Sequence, residues 1–244
     1  MHRCLVHTEQ LLNGALTLNR EESRHLRTVL RVKPGTQLEL FDGKGQTRPA
    51  SITLAEKNSI SMHACGEAVL HPTPACALTL FACISKGKRM DWTVEKATEV
   101  GVSQIVPIIS DRTIVCLSPK ESASKAERWK RVAEDAARQC GTAVIPKIYT
   151  PLSFIEALKI LPESNPVFTA ALTKEAVPLR DAIREYSNTP PTAGWFVGPE
   201  GDFTPEELTQ LQEHKTCFVS LGTNVLRAET ASLYGLCVLS CAWL

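Results

Sequence analysis

The sequence predicts an α/β protein in two parts, a small β-rich barrel over residues 1–72 and a larger parallel α/β domain over residues 73–244. Three observations carry that expectation. Short runs in which polar and apolar residues alternate fill the first part, the pattern of half-buried strands. Apolar strand-like runs alternate with helical patterns through the second, as in a parallel sheet covered on both faces. Between the two stands His71-Pro72-Thr73-Pro74, whose prolines stop any element and stiffen a short spacer.

In the first part, residues 38–41 run into Asp42-Gly43-Lys44-Gly45, a strand followed by a hairpin turn. Residues 51–54 and 59–62 alternate as further strands, and short strands closing on one another predict the barrel. One helix interrupts them at 21–30, with Leu26, Val29 and Leu30 inward. The interruption is also the most basic stretch of the chain, carrying Arg20, Arg24, His25, Arg27, Arg31 and Lys33 against Glu21 and Glu22. Two readings stay open, a solvated helix face or a patch that contacts phosphates.

In the second part, residues 78–84 read as an apolar strand and 91–100 as a helix ending at Gly101, a usual C-terminal stop. Residues 105–109 form the next strand. Ser118-Pro119 opens a long helix in which Ala126, Trp129, Ala133, Ala137 and Cys140 recur at helical spacing up to Gly141. Further strands are expected at 166–172, 194–197 and 217–221, and helices at 152–161, 178–187, 204–214 and 226–243. The last helix is apolar around much of its circumference, through Leu233, Leu236, Cys237, Leu239 and Trp243. It must be buried, in the core or against another subunit.

A hydrophobic content of 43% with 22% charged residues is that of a globular protein. The net charge of +1 means that any surface for nucleic acid must be local. Nine cysteines show no Cys-x-x-Cys pair, and most, such as Cys83, Cys217 and Cys237, lie in apolar runs. They read as small buried hydrophobes in a reducing compartment, and no metal site is expected. Met1-His2-Arg3-Cys4 is followed by no long apolar core, and no run approaches the roughly 20 residues of a membrane helix. A cytoplasmic protein without a signal peptide is the expectation.

Two loops near the C-terminus organise the rest. Gly198-Pro199-Glu200-Gly201 follows the apolar run 194–197, and Gly222-Thr223-Asn224-Val225-Leu226-Arg227 follows 217–221. Each is a strand that empties into a glycine loop and then a helix, the junction where open α/β sheets bind ligands. Two such junctions in close succession predict one shared pocket. Thr204, Pro205 and Glu207 mark the first helix start as a capping box with proline at its first position. Arg227 stands where the helix dipole disfavours a cation, so something else there needs it; Glu229 either complements that dipole or acts in the site. Dinucleotide and P-loop glycine motifs are both missing.

The two loops together resemble the cofactor-binding signature of the SPOUT methyltransferases. End to end the chain resembles the RsmE family within that group, which methylates N3 of a uridine in small-subunit ribosomal RNA. His25-Leu26-Arg27-Thr28-Val29-Leu30-Arg31 is similar to the basic segment of that family's PUA-like barrel, and Lys86-Gly87-Lys88-Arg89-Met90-Asp91 with Glu95-Lys96-Ala97-Thr98-Glu99-Val100-Gly101 to its first strand-to-helix block. Ser110-Asp111-Arg112-Thr113, Arg128-Trp129 and Leu226-Arg227-Ala228-Glu229-Thr230-Ala231 fit later blocks. Two departures stand out. Asp202 occupies a position where the family usually has glycine, and Thr142, Ala143 and Val144 follow Gly141 where it tends to carry arginine.

The resemblance implies a PUA-like RNA-binding barrel followed by a SPOUT-type domain with a C-terminal trefoil knot. It implies S-adenosylmethionine bound in a bent form, a homodimer with the active site across the subunit interface, and no membrane. Cofactor contacts would come from Leu172, Gly198, Pro199, Glu200 and Gly201, then Leu221, Gly222, Val225 and Leu226, with Thr230 and Ala231 from the last helix. Arg227 would stabilise charge on the base, with Glu200 and Glu229 orienting loops or assisting the proton's departure. Lys86, Lys88, Arg89 and Arg112 would join Arg20, Arg24, His25, Arg27 and Arg31 in holding RNA. Three alternatives remain: a ribose 2′-O-methyltransferase of the same superfamily, a non-catalytic RNA-binding assembly factor, and a nucleotide-dependent α/β enzyme that lacks its usual phosphate loop.

Overall fold

The computed structural model describes residues 2–18, 23, 26, 32–56, 59–162 and 165–244. The basic residues Arg20, Arg24, His25, Arg27 and Arg31 lie outside the described residues. Two compact units divide the chain: 1–73 with 137–145, and 74–136 with 146–244.

The first unit holds β1 (His2–Leu5), α1 (Thr8–Asn13), β2 (Ala15–Leu18), β3 (Gln37–Phe41), β4 (Gln46–Ala55), β5 (Ile60–Ala64) and β6 (Val69–Leu70). They form one sheet in the order β1-β3-β4-β5-β2, with β6 beside β4. Only β1 and β3 run parallel; the other pairs are antiparallel. Alternation puts Leu38, Leu40, Ala50, Ile52, Ile60 and Met62 into one core. The expected strand at 51–54 is part of the longer β4, bent by a bulge between Ile52 and Leu54. Between β3 and β4, Asp42 Oδ1 accepts the N–H groups of Lys44 (2.8 Å) and Gln46 (3.0 Å). Its burial raises the carboxyl pKa, but these bonds and the Thr8 hydroxyl outweigh that and hold it below the usual carboxylate range.

The sequence gives no sign that residues 137–145 return to this unit. Arg3, itself buried, donates to the carbonyls of Ala137 (2.9 Å) and Thr142 (2.7 Å) and pairs with Glu39. Thr142, at the place of an expected arginine, thus offers its carbonyl to one.

The second unit begins with β7 (Ala77–Cys83), α2 (Arg89–Glu99), β8 (Gln104–Ile109) and α3 (Pro119–Cys140), whose last residues count with the first unit. It continues through β9 (Lys147–Ile148), β10 (Leu152–Ser153), α4 (Phe154–Leu158), β11 (Val167–Ala170), β12 (Val177–Pro178) and α5 (Leu179–Arg184). It ends with β13 (Thr192–Val197), α6 (Pro205–Glu213), β14 (Cys217–Ser220) and α7 (Ala228–Trp243). The sheet order is β10-β8-β7-β13-β11-β14-β12 with β9 beside β8, every pair parallel. Two expected helices are shorter than the pattern suggests. Leu152 and Ser153 pair with β8 before the Ser153 hydroxyl caps α4, and Val177–Pro178 pairs with β14 before α5.

Stacked Phe81 and Phe196, 5.3 Å apart, centre one core layer, with Phe154 and Phe203 against them. The last helix, α7, packs on β7 and β13, burying Ala231, Gly235, Leu236, Leu239 and Trp243. Gly235 is required there, because a Cβ would stand 2.1 Å from the Trp195 ring. The expectation that Cys237 is buried is overturned: it is exposed, as is Cys241 one turn on. A helix apolar on every side does not reveal which stripe faces the sheet. Cys83 does behave as a hydrophobe, its thiol pushed by burial up to about 12.

Candidate functional site

Strands β13, β11 and β14 lie side by side, and a cleft enclosing about 280 Å³ opens at their carboxyl ends. That is the position where parallel α/β sheets bind small ligands. Its floor is Ala170, Val197 and Val219. The three loops that leave these strands form its walls.

The loop after β13 is fastened from several sides. Its helix α6 starts at the expected capping box, with the Thr204 hydroxyl accepting the Glu207 N–H and Glu207 accepting the Thr204 N–H. Buried Glu207 also accepts the N–H of Asp111 at 2.9 Å. Arg112 donates to the carbonyls of Gly201 (2.8 Å) and Phe203 (3.2 Å). Asp202 adopts φ 58°, the left-handed region that glycine enters freely and aspartate tolerates. Its carboxylate accepts the N–H of Phe203 at 2.8 Å and that of Leu172, from the loop after β11, at 3.2 Å. The Asp202 carboxylate therefore ties the loops after β13 and β11 together.

The loop after β14 turns at Gly222 (φ 123°) and runs exposed to Arg227, the N-cap residue of α7. Arg227 lines the cleft. Two residues on, Glu229 is 14% exposed, and its Oε2 is buried without a hydrogen-bond partner among the described residues. Its Oε1 is 3.7 Å from Nε of Arg89, whose Nη1 bonds Glu200 Oε1 at 2.8 Å.

The structure brings Leu172, Gly198, Pro199 and Glu200 to the cleft, together with Leu221, Gly222, Val225, Leu226, Arg227 and Ala231. Gly201, Glu229 and Thr230 do not line it. Asn224 lies in the predicted loop but is not singled out as a contact by the sequence, and sequence reasoning missed Ser220 and the floor residues, which read simply as strand. Of the RNA-binding candidates in this unit, Lys86 and Lys88 are exposed, whereas Arg89 and Arg112 are engaged with the first loop.

A family model for an RNA methyltransferase domain matches residues 71–240, and one for an RNA methyltransferase PUA domain matches 18–62. The ribosomal RNA small subunit methyltransferase E of Rickettsia conorii is 30% identical over 236 residues, covering 95% of this chain and 92% of its own. The chain belongs to the ribosomal RNA small subunit methyltransferase E family. A crystal structure of the family's enzyme from Neisseria gonorrhoeae, bound to S-adenosyl methionine, matches at TM-score 0.90 and 32% identity over 100% of this chain and 98% of that one. A methyltransferase of Legionella pneumophila, in complex with the same cofactor, matches at TM-score 0.89 and 30% identity over 99% and 98% of the two chains. Among the described residues, no helix is long and apolar enough to cross a membrane.

Proposed function

We propose that this protein uses S-adenosylmethionine to methylate N3 of a specific uridine in small-subunit ribosomal RNA. One observation carries the reading. In a chain of this family, three adjacent strand ends converge on one small-molecule cleft with an arginine on its wall.

The cleft suits such a cofactor. Leu172 and Val225 line it with 67% and 74% of their surface exposed, and covering them with a flat heterocycle removes apolar surface from water. Glu200 and Asp202 line it too, giving a cationic ligand carboxylates nearby. When bound, S-adenosylmethionine would supply a methyl group from its positively charged sulfonium sulfur, which leaves as a neutral thioether. Leu172, Leu221, Val225 and Leu226 would hold the adenine, with main-chain groups of Gly198 and Gly222 free to approach. Uracil N3 lies on the pairing edge and is protonated at neutral pH, so the base must leave its stack and lose that proton. Arg227 is assigned to the resulting negative charge. Glu200, held by Arg89, orients its loop, and Glu229 either orients the start of α7 or assists the proton's departure.

The remaining parts belong to the same reading. The arginines of 20–31 grip phosphates in the cytoplasm, where the ribosomal substrate is. A second copy completes the site, supported by the uncharged outward stripe Thr230, Tyr234, Cys237 and Cys241 of α7. The C-terminal segment is threaded as a trefoil knot, which an experimental chain trace through 192–244 tests directly. Sedimentation of the protein as a monomer would remove the dimer from the reading.

The deciding experiment maps ribosomal RNA by mass spectrometry from cells lacking the protein, before and after adding it back with S-adenosylmethionine. Loss and recovery of one N3-methyluridine is expected. A ribose 2′-O-methyl product, or no product, overturns the assignment.

A further inference from the structure

Arg89 is the first residue of α2, where the helix dipole disfavours a cation. Its basic surroundings, Lys86, Lys88 and the helix start, make it look like an RNA contact. The structure gives its guanidinium other work. It bonds Glu200 on the wall of the cleft at 2.8 Å, while its Nε faces Glu229 at 3.7 Å in the first turn of α7. Among the described residues Glu229 Oε2 is buried with no hydrogen-bond partner, and a buried polar atom left unpaired is costly. Arg89 is the cation the structure sets beside that carboxylate.

The Arg89 side chain is 42% exposed and that of Glu200 31%. Ion pairs this open contribute little to folding, so stability does not explain the arrangement. Position does. The arginine is a single link between the loop after β13 and the helix that carries Arg227 at its start, and both line the cleft.

Resting on the methyl-transfer reading above, we infer that Arg89 is a positioning residue. By spanning Glu200 and Glu229, it sets the first loop and Arg227 at a fixed separation across the cleft. Reacting groups displaced by about 1 Å lose on the order of a hundredfold in rate, so a link of this kind acts on turnover without touching a reactant.

The test compares Arg89→Gln, Arg89→Lys, Glu200→Gln and the double variant Arg89→Gln/Glu200→Gln with wild type. Small ribosomal subunits from cells lacking the protein serve as methyl acceptor. Arg89→Gln should lower kcat ten- to a hundredfold, with the melting temperature nearly unchanged. RNA affinity and its dependence on salt should also hold, and Arg89→Lys should recover part of the loss. The double variant should be no slower than the slower single variant. A kcat equal to wild type overturns the inference, as does a double variant whose losses multiply. So does a salt slope shallower by about one phosphate contact, roughly 0.7–0.9 in the logarithmic plot, because Arg89 would then hold RNA. A wild-type protein that transfers no methyl group overturns the functional reading and this inference with it; wild-type transfer with unimpaired Arg89→Gln overturns this inference alone.

Discussion

The loop after β13 and the loop after β14 wall the same cleft but are held in different ways. The first is fastened along its length by Asp202, Arg112, Glu207 and Arg89, each bonded to a neighbouring segment. In the second, Gly222, Thr223, Asn224 and Val225 are all exposed. Its firm point comes afterwards, where α7 seats Gly235 on Trp195 and the Trp195 indole N–H donates to the Ala231 carbonyl at 3.3 Å. One wall is shaped before anything binds. The other takes its place from the helix it feeds, which leaves its apolar side chains to adapt to the contents of the cleft. A substitution at the seat of α7 should therefore cost the fold more than one at a tie of the first wall.

The sharpest way to break that contrast is Gly235→Ala. A Cβ there would meet three atoms of the Trp195 ring at 2.1–2.6 Å, and Trp195 is fully buried. Overpacking a core costs about 1–3 kcal/mol and more when backbone must move, so a loss of at least about 3 kcal/mol is expected in urea denaturation. An unchanged midpoint would mean that α7 is not the anchor of the second loop. Next in size is Arg227→Ala, which should reduce methyl transfer on the order of a hundredfold, about 2.7 kcal/mol. Cofactor affinity measured by calorimetry should stay within about twofold; its loss would move Arg227 from the base to the cofactor. Glu207→Gln should destabilise the protein by about 2 kcal/mol, because a carboxylate accepting N–H groups from two segments loses its charge. If thermal melting shows no change, the first wall does not depend on that carboxylate.

The parts of this site that the sequence displays are those encoded within a few residues. Thr204 and Glu207 are three apart, and their capping box forms as spaced. Strand, glycine loop and helix succeed one another, so both cleft loops are visible as junctions. What the sequence hides is partnership across the chain. Arg89 and Glu200 are 111 residues apart, and Asp111 and Glu207 are 96 apart. Only a strand order that sets β13 between β7 and β11 brings such segments together. Lys86, Lys88, Arg89 and Arg112 read alike as basic residues in the sequence, and only the fold shows that the two arginines bond the first loop. The β10 and β12 pairings were hidden for a related reason, since two-residue strands carry no periodicity.

The smallest expected effect sharpens the contrast most, because it separates backbone strain from wall-to-wall bonding at one residue. Asp202 has φ 58°, and its carboxylate accepts from Phe203 and from Leu172 across the cleft. A left-handed conformation costs an ordinary L residue about 1–2 kcal/mol, and each hydrogen bond contributes roughly 1 kcal/mol. Asp202→Gly loses the bonds but relieves the backbone, so the two should nearly cancel and leave stability within about 1 kcal/mol of wild type. Asp202→Ala loses the bonds and keeps the strain, and should be the less stable of the pair by about 1 kcal/mol. Both variants free the Leu172 N–H and unlink the loops after β13 and β11, so both should lower cofactor affinity by a similar small factor in calorimetry. Equal stability of the two variants would mean that φ carries no cost here. An affinity change in only one of them would mean that the backbone at 202, and not its carboxylate, shapes the wall.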